Sequence, residues 1–93
     1  MTVGIFTVEI FIPEARSLKD KRQVLRGLVE RLRRRHNVSV AEVAHQDLWQ
    51  RAGLAIVAVA AAQKPIDAMF QGLLDEIERE IPGHIISHEV EFI

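Results

Sequence analysis

One histidine, one aspartate and the only tryptophan of the 93-residue chain lie within the five-residue segment HQDLW, residues 45–49. An imidazole beside a carboxylate is a pair that general acid–base catalysis uses, so His45 and Asp47 could form a small reaction centre. Alternatively, Asp47 could cap a short helical turn that folds Trp49 over the open end of the core. In the third interpretation Asp47, Trp49 and Arg51 contact a partner, as loop tryptophans often do. The segment favours the structural plug first, the partner contact second and catalysis last, because no nearby nucleophile is evident.

A second group of charged residues falls on one edge of a predicted helix. At 100° per residue the edge spans a sector about 60° wide beside the apolar stripe, and its members are Lys19, Arg22, Arg26 and Arg33. Such a row could bind a phosphate backbone. The alternatives are a solvated face, in which Glu30 pairs with neighbouring arginines, and a contact with an acidic protein partner. We predict nucleic-acid binding at these four residues as the leading functional hypothesis.

The charge distribution along the chain is uneven. Residues 1–36 contain nine Lys or Arg and four Asp or Glu, whereas residues 37–93 contain three and nine. The two parts therefore carry about +5 and −6, although the whole chain is close to neutral. This asymmetry indicates either a polyanion-binding face or an electrostatic contact between copies of the chain.

The elements that position these residues follow from hydrophobic periodicity. Strands are predicted at 3–12, 38–45, 54–62 and 85–93, and helices after the Ser17 cap and from Pro65 to Ile81. The order β-α-β-β-α-β, with right-handed crossovers, predicts an α+β ferredoxin-like fold in which both helices cover one face of a four-stranded antiparallel sheet. The length is that of a single domain, residues 1–93.

The second sheet face is predicted to be uncovered, acidic and partly apolar. Glu9, Glu89 and Glu91 would repel phosphate there, and the central strand LAIVAVAAA offers no aromatic for base stacking, so we do not expect RNA on this face. Ile5, Phe11 and Ile85 are expected on the same surface. Another copy of the chain would cover such a patch, so a homodimer is predicted.

Other site classes find little support. Cysteine is absent, which excludes disulfides and thiolate metal sites. His84 and His88 are separated by about 13 Å along a strand and cannot share a metal ion alone. We expect no cofactor and no small-molecule ligand. With no leader and no apolar run long enough for a bilayer, a cytoplasmic protein is predicted.

Residues 17–52, above all the segments SLKDKR and HQDLWQ, closely resemble the YlxP-like family of small bacterial proteins. The resemblance extends over the whole chain and implies a ferredoxin-like fold, but no established activity, cofactor or catalytic residue. In some bacteria genes of this family neighbour genes for translation initiation and ribosome maturation, so the resemblance also implies an RNA or ribosome context. It therefore agrees with a non-enzymatic binding module, with a protein-interaction domain as the alternative and a small enzyme third.

Overall fold

The structure is a computed structural model that describes residues 1–81 and 83–93. The elements are β1 (Thr2–Phe11), α1 (Leu18–Arg35), β2 (Ser39–Ala44), β3 (Arg51–Ala60), α2 (Gln63–Glu80) and β4 (His84–Phe92). The strands form one antiparallel sheet in the order β2-β3-β1-β4, and both helices pack on one face. The predicted ferredoxin-like fold is confirmed.

The core lies between the helices and one side of the sheet. Phe6, Val8 and Ile10 of β1 are at most 2% exposed, as the period-two alternation predicts. They pack against the apolar stripes of the helices, whose fully buried residues include Leu28 and Leu73. Gly4 allows close packing, because a Cβ there would lie 2.6 Å from Ile66 Cγ2 of α2.

The helix starts follow local capping chemistry. Ser17 Oγ accepts a hydrogen bond from the Asp20 amide at 3.0 Å, as predicted, and Asp20 Oδ2 accepts one from the Arg16 amide at 3.0 Å. The second helix begins at Gln63 rather than Pro65, so the proline lies inside the first turn, where a missing N–H costs no helical hydrogen bond. Pro82, predicted to stop this helix, lies outside the described residues.

A β-bulge changes which face part of β4 presents. The β1–β4 register shifts between Glu9 and Ile10, so Glu9 pairs with Ser87 but Ile10 pairs with Ile85. The extra residue reverses the alternation of the strand, and Ile85 packs against the core. The expectation that Ile85 lies on the uncovered face is therefore wrong.

Candidate functional site

A buried lysine fixes the loop between β2 and β3. Lys21 of α1 is 0% exposed, and its Nζ donates to the carbonyl oxygens of His45 at 2.7 Å, Gln46 at 3.3 Å and Arg51 at 3.1 Å. The same Nζ lies 3.1 Å from Glu42 Oε2, which balances the buried charge. The ammonium group therefore holds both ends of the loop against the first turn of α1.

The rest of the loop is held by main-chain and amide contacts. The Gln50 carbonyl accepts from the Ile12 amide at 2.8 Å, and Gln50 Nε2 donates to the Pro13 carbonyl at 2.9 Å. His45 has a φ of 60°, the only positive φ of a non-glycine residue among the described residues. Its carbonyl also accepts from the Leu48 amide at 3.1 Å, closing a turn. Residues 45–50 form a well-anchored loop without the predicted helical turn.

The side chains at the loop tip face solvent. Trp49 is 55% exposed and Leu48 is 42% exposed. The prediction that Trp49 closes the end of the core is wrong, because the indole is exposed. Contacts of Lys21 and Gln50 anchor the loop instead. Asp47 is also exposed. Of the three interpretations of HQDLW, partner contact agrees best with this placement.

His45 and Arg51 converge on Glu9 of β1. His45 Nε2 lies 2.6 Å from Glu9 Oε1, and an Arg51 guanidinium nitrogen contacts the same oxygen. The carboxylate beside the imidazole is therefore Glu9, not the predicted Asp47. Arg51 is the first residue of β3 and is tied to this cluster rather than placed with Trp49 at the loop tip. Glu9 and His45 line a concavity of about 250 Å³ on the uncovered face.

The predicted basic edge is only partly free. Lys19, Arg22 and Arg26 are exposed, and none contacts an acidic side chain among the described residues. Arg33, by contrast, donates to the Val40 carbonyl of the edge strand β2 at 2.6 Å. We refer to Lys19, Arg22 and Arg26 as the basic ridge. It begins in the same turn of α1 that holds the loop through Lys21.

Two further arginines of α1 cross-link the two helices. Arg35 donates to Glu80 at 2.6 Å and to Glu76 at 3.2 Å, and Arg31 donates to Glu80 at 3.0 Å. The hydrogen bond from Arg35 lowers the pKa of Glu80 below its ordinary value and in turn raises the pKa of Arg35. His36 lies 3.0 Å from Glu76. Part of the positive excess of residues 1–36 is thus neutralised within the molecule.

The sequence did not predict the anchoring role of Lys21 or the contact of Glu9 with His45. Lys21 falls in the apolar sector of the α1 wheel, and a lysine at such a position requires carbonyl or carboxylate partners when buried. The position of Lys21 on the wheel could therefore have predicted a buried lysine with polar partners. The meeting of Glu9 with His45 depends on the strand register and had no local signal.

Within residues 1–81 and 83–93, no three His, Asp or Glu side chains are grouped so that they could hold a metal ion. In the same part of the chain, no helix has the length and apolar character needed to cross a membrane.

The element order, the β2-β3-β1-β4 sheet and the one-sided helix layer define a ferredoxin-like α+β fold. A solved structure titled "De novo designed protein Ferredog-Diesel" is similar in fold, with a TM-score of 0.52, 14% identity, and coverage of 98% of this chain and 84% of that chain. The chain belongs to the family described as "Protein of unknown function (DUF503)", which matches residues 3–90. "Uncharacterized protein YlxP" of Bacillus subtilis (strain 168) is 36% identical over 85 residues, covering 85% of this chain and 92% of that protein. The resemblance to YlxP-like proteins is therefore confirmed.

Proposed function

We propose that this chain is a non-enzymatic RNA-binding module of the cytoplasm that binds the phosphate backbone through its basic ridge. The observation that supports this function is the exposure of Lys19, Arg22 and Arg26 on one edge of α1 without acidic partners in the described chain. Exposed cations in a row can release counterions from a nucleic acid, and this release supplies most of the affinity of sequence-independent binding.

The acidic side chains of the uncovered sheet face indicate from which side an RNA would approach. Glu89 and Glu91 of β4 pair with Thr7 and Ile5 of β1, so their carboxylates lie on the uncovered sheet face. These carboxylates repel phosphate and leave the α1 side as the favourable approach. The fold by itself does not supply this assignment, since the same fold hosts many functions.

The salt dependence of RNA affinity tests the proposal. Replacing Lys19, Arg22 or Arg26 by Gln should reduce the slope of log affinity against log salt by about 0.7 to 1 each, as expected for one lost phosphate contact. Lys64→Gln is the matched control, because Lys64 is an exposed cation of α2. Equal slopes for the ridge variants and the control, or no binding of RNA at low ionic strength, would exclude this function.

The uncovered sheet face supports a second candidate function, self-association. Val57 and Val59 of β3 are 37% and 56% exposed, and Ile93, which pairs with Val3, is 74% exposed. These side chains form an apolar strip that a second copy of the chain would bury. Light scattering should then give the molar mass of a dimer for the unmodified chain and of a monomer for Val59→Glu. A monomer at every concentration of the unmodified chain would exclude this candidate.

A further inference from the structure

The tryptophan at the tip of the loop is presented on a fixed support. Lys21 Nζ binds the carbonyls on both sides of it, at His45 and Arg51, and Gln50 is tied to the segment before α1. The indole of Trp49 nevertheless remains 55% exposed. An exposed aromatic ring on an anchored loop can bind a flat partner without a large cost for ordering the loop.

The loop lies at the amino-terminal end of α1, which is also the end at which the basic ridge begins. Lys21 contacts the loop from the buried side of the first turns of α1, whereas Lys19 and Arg22 begin the ridge in the same turns on the exposed side. At 1.5 Å per residue, the ridge extends about 10 Å along the helix from Lys19 to Arg26. To reach the loop, a strand that lies along the ridge has to continue around the amino-terminal end of α1.

An exposed ring at one end of a helix that also carries a row of cations matches the chemistry of single-stranded nucleic acid. Such strands bind by phosphate contacts in a positive groove together with base stacking on aromatic side chains. A duplex offers phosphates but keeps its bases stacked inside, so the indole would have nothing to stack on except at an end. The short ridge suits a footprint of about four nucleotides, at the lower end of the range for single-strand sites.

We propose that Trp49 stacks on an unpaired base of an RNA strand whose phosphates lie along Lys19, Arg22 and Arg26. This proposal rests on the proposed function, and it specifies the ligand as single-stranded RNA. The buried Lys21 is a positioning residue in this site, because it holds the loop that carries the ring.

Trp49 is the only tryptophan, so its intrinsic fluorescence reports directly on the ring. Titration with a single-stranded RNA oligonucleotide at low salt should quench the emission, whereas a duplex of the same sequence should bind more weakly and quench less. Trp49→Ala should weaken single-strand binding by about 5- to 150-fold, the cost of one lost stacking contact. The salt slope should stay unchanged, because no phosphate contact is lost.

Two further variants test whether the loss of affinity is due to the aromatic ring. Trp49→Phe should retain most of the affinity, since a ring is still present, and it shows that position 49 tolerates substitution in the folded chain. Leu48→Ala removes an exposed apolar side chain from the same loop and should leave affinity almost unchanged.

The outcomes separate this proposal from the one on which it rests. If RNA binds with the expected salt slope but Trp49→Ala binds as tightly as the unmodified chain, stacking is refuted and the ridge function stands. Equal affinity for duplex and single strand refutes the single-strand preference in the same way. If neither form binds at low salt, both proposals fail. Loss of a co-purifying protein rather than of RNA affinity in Trp49→Ala would assign the loop to a protein partner and overturn the stacking proposal.

Discussion

Replacement of Lys21 by methionine removes the ammonium group that holds the loop of residues 45–50 but keeps a side chain of similar length. In the folded chain the change would leave the carbonyls of His45, Gln46 and Arg51 without this donor and Glu42 without its ion-pair partner. Buried acceptors without donors and a carboxylate without a counter-charge both destabilise the native state. We therefore expect Lys21→Met to be strongly destabilising.

The magnitude follows from the burial of the two partners. Removing one member of a buried ion pair costs about 3–5 kcal/mol. The Glu42 side chain is 22% exposed and can recover some hydration, so the lower end, about 3 kcal/mol, is expected. This is a large part of the roughly 5–15 kcal/mol by which small domains are stable. At about 4–8 °C per kcal/mol, the melting temperature should fall by roughly 12–24 °C.

Urea denaturation followed by circular dichroism measures this loss as a change in the free energy of unfolding. Lys19→Met is the matched control, because it makes the same substitution at an exposed position of the first turn and should change stability by less than about 0.5 kcal/mol. Glu42→Gln should cost less than Lys21→Met, since Lys21 keeps its three carbonyl acceptors. If Lys21→Met and Lys19→Met lower the free energy of unfolding by the same small amount, Lys21 does not hold the loop.

Other substitutions test packing and electrostatics. A Cβ at Gly4 would lie 2.6 Å from Ile66 Cγ2, so Gly4→Ala should cost about 1–3 kcal/mol in urea denaturation, and an unchanged midpoint would contradict this packing. Gly72 is exposed in α2 and a Cβ there meets nothing within 4 Å, so Gly72→Ala should stabilise the fold by about 0.5–1 kcal/mol. A lower free energy of unfolding in this variant would show that the added methyl group meets a neighbour. Glu80→Gln should destabilise at neutral pH, because Arg35 lowers the pKa of Glu80 in the folded state. That contribution is present above the ordinary pKa of 4.5 and is lost as the pH falls through the folded-state value, so the difference in urea midpoint should disappear in acid, and a constant difference would exclude the linkage.

Much of the fold could be predicted because its signals are local. The alternation in β1, the Ser17 cap and the apolar stripes each depend on residues a few positions apart, and the structure confirms them. The error at Ile85 has a different origin. A single bulged residue moves the side chains beyond it to the opposite face of the sheet, and the sequence of β4 alone does not show where the bulge lies.

The candidate site was less predictable because it depends on contacts between distant segments. The position of Trp49 is set by Lys21, which lies 28 residues earlier in the chain, and by the Gln50 contacts to the segment before α1. Arg33 belongs to the predicted row by helical spacing, but the edge strand β2 supplies a carbonyl that binds it. Helical geometry gives the direction of a side chain, but whether that side chain is free to bind a ligand depends on the neighbouring elements.

Amide chemical-shift mapping during titration with a short single-stranded RNA is the most direct test of where, and whether, nucleic acid binds. We predict that the largest shifts fall on residues 19–26 of α1 and 45–50 of the loop, while Glu89 and Glu91 on the uncovered face remain unchanged. Shifts concentrated on β4, or no shifts at low salt, would contradict binding by the basic ridge.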